Sequence, residues 1–263
     1  MNERGYAVIT GATSGIGEAF ATRLADDGYD LLITGRRRAV IDEMAARLRF
    51  KYGATVRVVL AELSDARDLE RLKAELEKIE NIAILINNAG SGSKSGFLES
   101  DYSIHARMIA SHITAVAGLV HAVAPKMVAN GRGAIINVSS LMAFFPYGSS
   151  EIYGATKAFI NIFSEALHIN MRAHNVKIQV LCPGLTRTDF HARLQIDSKK
   201  LVNRAIVRWM KADDVARISL RSLKKKKVTI IPGLLNKIVY LLLRLVPKRL
   251  YYPLAARVRK SSW

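Results

Sequence analysis

Short apolar runs alternate along this chain with amphipathic helical stretches, and that alternation restricts the fold more than any other feature. The runs fall at 7–10, 31–34, 56–60, 82–86, 134–138, 177–181 and 228–231. The helical stretches fall at roughly 15–27, 39–52, 66–79, 102–129, 151–174 and 212–224. Strands separated by helices join into β-α-β units and a parallel sheet covered on both faces. A doubly wound, mostly parallel α/β sheet binds its ligands beyond the carboxyl ends of the strands, where the strand order reverses. The residues just after each strand therefore decide what such a fold can do.

After the first strand comes Thr10-Gly11-Ala12-Thr13-Ser14-Gly15-Ile16-Gly17, which opens a helix. Glycines let backbone turn tightly and approach a pyrophosphate, and the helix N-terminus offers free N–H groups and a favourable dipole. The spacing is Gly-x-x-x-Gly-x-Gly, and a tight turn alone would also account for it. After the second strand come Gly35-Arg36-Arg37-Arg38, with no carboxylate among them. Arginines there suit a 2′-phosphate; a solvated basic start to a helix is the plainer alternative. The third strand ends in Glu62-Leu63, placed to flank an adenine, and the fourth in Asn87-Asn88-Ala89-Gly90. The sixth leads into Cys182-Pro183-Gly184-Leu185-Thr186-Arg187-Thr188. Cys182 reads as packed at the strand end.

Ser140 follows the fifth strand, and Tyr153 and Lys157 lie four apart in the helix beyond it. Side chains at i and i+4 share a helix face, so an ammonium can sit beside the phenol. A tyrosine titrates near pH ~10 in water, and a nearby cation is expected to lower that towards the range of a general acid/base. Ser140 can polarise a carbonyl from its strand tip. Tyr, Lys and Ser at such spacings also occur by chance.

The chain has 263 residues, half of them apolar, ample for a buried core. Its single cysteine cannot form an internal disulfide, and residues 1–5 lead at once into the first apolar run. Both fit a cytoplasmic protein without a signal peptide. No metal site is expected. Of the net charge of +18, residues 199–263 carry +16: 18 Lys and Arg against Asp213 and Asp214. Within this part, Leu234–Val246 is almost wholly apolar apart from Asn236, Lys237, Tyr240 and Arg244. As a helix it spans ~20 Å at 1.5 Å per residue, short of a ~30 Å bilayer core. Such a helix caps a hydrophobic cleft, forms an oligomer contact or lies in a membrane interface. Lys248, Arg249, Arg257, Arg259 and Lys260, with Tyr251, Tyr252 and Trp263, favour an anionic membrane surface. The leucine run argues against nucleic acid, which needs no apolar stripe.

The motifs together resemble the short-chain dehydrogenase/reductase family. Matching elements are Thr-Gly-x-x-x-Gly-Ile-Gly at 10–17, Asn-Asn-Ala-Gly at 87–90, Ser140, Tyr-x-x-x-Lys at 153–157 and Pro-Gly-x-x-x-Thr at 183–188, in the family's order over about residues 5–232. The resemblance implies a Rossmann-type domain, expected over 1–232; the charge and apolar pattern after it predict a basic, partly apolar helical extension over 233–263, and a homo-oligomer is expected. It implies an oxidoreductase moving hydride between a nicotinamide dinucleotide and a carbonyl carbon; with Arg36 the cofactor expected is NADP(H), and the substrate expected is a lipophilic ketoacyl, steroid-like or aldehyde compound. Tyr153 would be the acid/base, Lys157 would hold the nicotinamide ribose, Ser140 would orient the carbonyl, and the 183–188 turn would meet the nicotinamide. The cofactor would lie against Gly11, Thr13, Ser14, Gly15, Ile16, Gly17, Arg36, Arg37, Glu62, Leu63, Asn88, Ala89, Gly90, Tyr153, Lys157, Pro183, Gly184, Thr186 and Thr188. Two positions depart from the pattern. Glu62 stands where aspartate is commoner, and His112 stands where the family has an asparagine that helps hold a relay water. His112 thus joins the catalytic set as a water-binding residue or marks a slowed site. The second outcome would make the chain a cofactor-binding membrane module with little turnover.

Overall fold

The computed structural model describes residues 4–93, 96–190, 208–225 and 227–261. Seven strands form one parallel sheet in the order β3-β2-β1-β4-β5-β6-β9. They are β1 (Tyr6–Thr10), β2 (Asp30–Gly35), β3 (Val56–Leu60), β4 (Ile82–Asn87), β5 (Gly133–Val138), β6 (Val176–Leu181) and β9 (Thr229–Ile230). A separate two-stranded parallel pair, β7 (Thr186–Arg187) with β8 (Met210–Lys211), pins the chain after β6.

Helices cover both faces, as the periodicity requires. On one face α1 (Gly15–Asp26), α2 (Arg38–Tyr52) and α7 (Ala212–Leu223) bury Phe20, Leu24, Ile41, Leu48 and Val215 against the sheet. On the other, α3 (Ala66–Glu77) and α5 (Ala115–Ala129) bury Leu69, Leu72, Leu119, Val123 and Met127. Each such side chain is worth roughly 1.5–3 kcal/mol on full burial. The Asp65 carboxylate caps α3, accepting from the N–H groups of Arg67 and Asp68. Among the described residues one helical stretch, Tyr102–Ala129, is long and apolar enough to cross a membrane. Its α5 half is packed into this core.

The sheet changes direction between β1 and β4. Chain order runs outward from β1 through β2 and β3, then returns to the other side with β4. Pairing of Thr10 with Thr34, and of Asn87 with Asn137, brings the strand tips into line there.

Three features were not expected. The stretch 102–129 is not one regular helix: α4 (Tyr102–Ile109) and α5 are joined by a π-helical turn, Ala110–Thr114. Such a turn takes one extra residue and re-aims the side chains within it, and it favours functional sites. The β7–β8 pair is the second. The third is α9 (Lys248–Ser261), which follows α8 (Leu234–Leu245) although Pro253 lies inside it. A helical extension over 233–263 is expected from the sequence; its division into two helices is not.

Candidate active site

The chain leaves β1 through Gly11 and Gly15, at φ 65° and 59°, a region side chains avoid. At Gly17 any Cβ would lie 2.3 Å from Gly11 O, so the turn folds back on itself too closely for a side chain. The N–H groups of Gly15, Ile16 and Gly17 precede the first bond of α1, Glu18 N–H to Ser14 O. They lie at the positive end of the helix dipole. Thr10 fixes this turn to its neighbour: its hydroxyl oxygen accepts from the N–H groups of Asn88 (2.9 Å) and Ala89 (3.0 Å). In return Asn88 Nδ2 donates to the Thr10 and Gly11 carbonyls.

Arg37 donates to the carbonyl (3.2 Å) and hydroxyl (3.3 Å) of Thr13, closing over the turn. Arg36 donates to Glu62 Oε2 at 2.6 Å. The sequence showed no carboxylate after β2; the structure brings one in from the end of β3. Burial pushes the Glu62 carboxyl up, but Arg36 and Ser64 outweigh it and hold it below its ordinary range.

A cavity of about 770 Å³ runs along these tips. Gly11, Thr13, Ser14, Gly15, Ile16, Arg36, Arg37, Glu62, Leu63, Asn88, Ala89 and Gly90 line one part. Ser140, Tyr153, Lys157, Pro183, Gly184, Thr186 and Thr188 line it too. Leu141, Met142, Phe145, Tyr147, Phe190, Val239, Leu243 and Tyr251 complete it with an apolar wall. Of the expected site residues, Gly17 and His112 alone stand behind the lining.

Tyr153 and Lys157 lie one turn apart on α6 (Glu151–Met171), as the spacing predicted. The ammonium is 5.7 Å from the phenol ring centroid and donates to Val138 O at 2.9 Å. The electrostatics differ from expectation. Burial pushes the Tyr153 phenol above its ordinary value, with the Ser140 hydrogen bond working against it. Burial also pulls Lys157 down to about 8, Cys182 opposing. Desolvation disfavours phenolate and ammonium alike, and it is the largest influence on both. The same burial pushes the Cys182 thiol up to about 12, so it is no nucleophile.

His112 sits in the π-helical turn, 1% exposed. Its Nε2 accepts the Ser91 N–H at 3.0 Å, so the proton lies on Nδ1, which donates to Thr156 Oγ1 at 2.9 Å. Thr156 in turn donates to the carbonyl of Tyr153. Burial first, and the Lys157 charge second, hold His112 well below its ordinary pKa, hence neutral. Both ring nitrogens are engaged, leaving neither for a water. A second buried thread, Asn87 to Asn137 to Ser164, each at 2.9 Å, ties β4 and β5 to α6. Thr10, Ser139 (whose hydroxyl donates to Lys157 O) and Thr156 were missed from the sequence. Thr10 was legible in principle, as a hydroxyl at a buried strand tip before a glycine turn.

A glycine turn presenting helix N–H groups and a buried tyrosine-lysine pair in one cavity suit one class of protein: an oxidoreductase working on carbonyl or alcohol groups with a dinucleotide. The glycine turn, which leaves no room for a Cβ, and the N–H groups of α1 that precede its first helical bond fit such a cofactor. The chain belongs to the short chain dehydrogenase family, whose profile matches residues 5–199. It is 33% identical over 186 residues to sulfoacetaldehyde reductase 2 of Chromohalobacter salexigens, a match covering 70% of this chain and 73% of that protein. It is also 33% identical over 189 residues to the very-long-chain 3-oxoacyl-CoA reductase of Anas platyrhynchos, covering 70% of this chain but only 60% of that longer protein. Among solved structures it resembles a short-chain dehydrogenase from Sphingobium yanoikuyae in complex with NADPH, with a TM-score of 0.82 and 33% identity over 98% of this chain and 95% of that one. The protein is an NAD(P)H-binding oxidoreductase of this family.

Proposed function

We propose that the protein reduces the carbonyl group of a lipophilic ketone or aldehyde with NADPH, or runs the reverse oxidation. The carrying observation is the apolar wall of Leu141, Met142, Phe145, Phe190, Val239 and Leu243 facing Tyr153 across one cavity. The names of the relatives point to a sulfonated aldehyde and a long-chain oxoacyl thioester, so it is this chain's own wall that favours a lipophilic one.

The cofactor, when bound, supplies or accepts the hydride. Tyr153 gives its phenolic proton to the carbonyl oxygen, and the Ser140 hydroxyl donates to the same oxygen. Lys157 holds positive charge beside the phenolate as it forms, which offsets the desolvation that otherwise keeps the phenol protonated. His112 is a positioning residue: neutral, it ties the Ser91 backbone to Thr156 and so fixes the α6 turn that carries Tyr153. Arg36 and Arg37 favour the 2′-phosphate of NADPH.

Turnover of NADPH with a series of straight-chain aldehydes and ketones tests this reading. Each buried methylene is worth about 0.8 kcal/mol, so kcat/KM should rise about fourfold per carbon until the wall is reached. A flat series would refute the lipophilic assignment.

The exposed face of α8 supports a finer reading, docking on an anionic membrane surface. Leu234, Ile238, Leu241, Leu242 and Leu245 are solvent-facing on successive turns, Leu245 being 80% exposed. Lys237, Arg244, Lys248 and Arg249 lie within or beside the same segment. Apolar area should give a binding component that survives salt, and the cations one that salt screens over ~8–10 Å. Pelleting with phosphatidylglycerol vesicles, but less with neutral ones, is the expected result. Negligible pelleting together with a concentration-dependent dimer would assign the face to a second copy of this chain instead.

A further inference from the structure

Beyond the apolar wall lies a second cavity, of about 520 Å³. Phe145, Leu243 and Tyr251 line both cavities, so the two are separated by a partition of these side chains. The Tyr251 hydroxyl donates to Pro146 O at 2.7 Å, the Phe145 and Tyr251 rings lie 6.4 Å apart, and Tyr240 stands edge-on to Phe144 at 4.6 Å.

The chemistry changes across it. The first cavity carries aliphatic and aromatic groups on this side. The second adds Arg244 of α8 and Lys248 of α9 to Phe144, Tyr240 and Tyr252. Arg244 Nη1 donates to the Tyr240 hydroxyl at 2.9 Å, leaving further guanidinium donors, and neither cation is ion-paired among the described residues. Glu165, on the α6 wall, accepts from the Thr229 hydroxyl at 2.9 Å. Two cations thus face one carboxylate that is already hydrogen-bonded.

An apolar cavity that shares Phe145, Leu243 and Tyr251 with a neighbour holding a guanidinium and an ammonium suits one kind of molecule, an alkyl chain with an acid group at its far end, threaded between the two as the Phe145 and Tyr251 side chains turn aside. We infer that the second cavity is the far half of the substrate site and receives the carboxylate or phosphate of a long-chain oxo compound whose carbonyl lies at Tyr153. This rests on the reductase reading and narrows it from lipophilic to amphiphilic acids. Arg244 and Lys248 are the specificity residues. Being near solvent, they should give about a tenfold preference rather than the larger factors of buried pairs.

The test uses the full chain and separates the two readings by including binding without turnover. Dodecanoate and dodecyl phosphate, below their micellar concentrations, are compared calorimetrically with dodecanol. Both acids should bind about tenfold tighter, Arg244→Ala should lower the ratio several-fold, and Arg244→Ala with Lys248→Ala should bring it to about one. Glu165→Gln should raise it. In kinetics, 12-oxododecanoate should exceed dodecanal in kcat/KM by a similar factor, again collapsing in the double variant. Tighter binding of the acids without turnover of either aldehyde would uphold this site and count against the reductase reading. Equal binding of acid and alcohol by the wild type, or a preference unchanged in Arg244→Ala, would overturn the inference. So would inorganic phosphate competing as well as dodecyl phosphate, which would mark a bare anion site.

Discussion

Lys157→Met should stabilise this protein at neutral pH while destroying its activity. The folded ammonium titrates at about 8 against an ordinary 10.5, because burial removes its hydration. A folded pKa below the unfolded one means the unfolded chain binds more protons between those values, so stability rises with pH across that window. At pH 7 the lysine therefore costs roughly 3 kcal/mol, taking about 1.4 kcal/mol per unit. Methionine has a similar unbranched shape and escapes that cost. It forfeits the bond to Val138 O, worth about 1 kcal/mol, leaving a gain of roughly 2 kcal/mol. Urea unfolding of both proteins at pH 7 and pH 10 measures it. Between those pH values the wild type should gain roughly 2–3 kcal/mol on the variant, while the titration of Cys182 and other groups largely cancels in the difference. A variant less stable at pH 7, or a gap that does not move with pH, would refute the claim that Lys157 is held at the site against its own desolvation.

Arg36→Ser should weaken NADPH binding and leave NADH binding unchanged or tighter. A charge-assisted contact is worth about 1.5–3 kcal/mol, but Arg36 is exposed and shared with Glu62, so about tenfold is expected, read by titrating intrinsic fluorescence. His112→Ala should cost about 2–4 kcal/mol through two lost bonds and a cavity, measured by urea unfolding. Because His112 stays neutral when folded, the wild type should lose stability as pH falls below ~6.5, and the variant should lose less. As a positioning residue, its removal should lower kcat while leaving the pH dependence of kcat in place; a shifted profile would mean direct proton transfer.

The sheet was legible because its strands are continuous apolar runs that end in small or polar residues, and the predicted strand boundaries fall within a residue or two of the observed ones. The same ends carried nearly all of the cavity lining. What escaped depended on distance in three dimensions. Glu62 meets Arg36 from another strand, and the apolar wall borrows Val239, Leu243 and Tyr251 from the far end of the chain. The π-helical turn was hidden because a periodic apolar pattern tolerates one inserted residue, and α9 because Pro253 reads as a helix breaker. Most instructive is Tyr153. Spacing reveals a cation nearby but not the burial of both groups, and burial set the direction of the shift.

The central claim is that Tyr153 supplies the proton. Tyr153→Phe removes one oxygen from a side chain whose ring is packed beside Phe190 and His112, so the fold and the glycine turn should be undisturbed. The decisive measurement is steady-state oxidation of NADPH by a long-chain aldehyde, paired with the NADPH dissociation constant of the same preparation. Loss of a general acid accounts for 10²–10⁴-fold in rate, so turnover should fall by about that factor while the dissociation constant stays within about threefold (~0.7 kcal/mol). Turnover within tenfold of the wild type, with the cofactor still bound, would contradict the account.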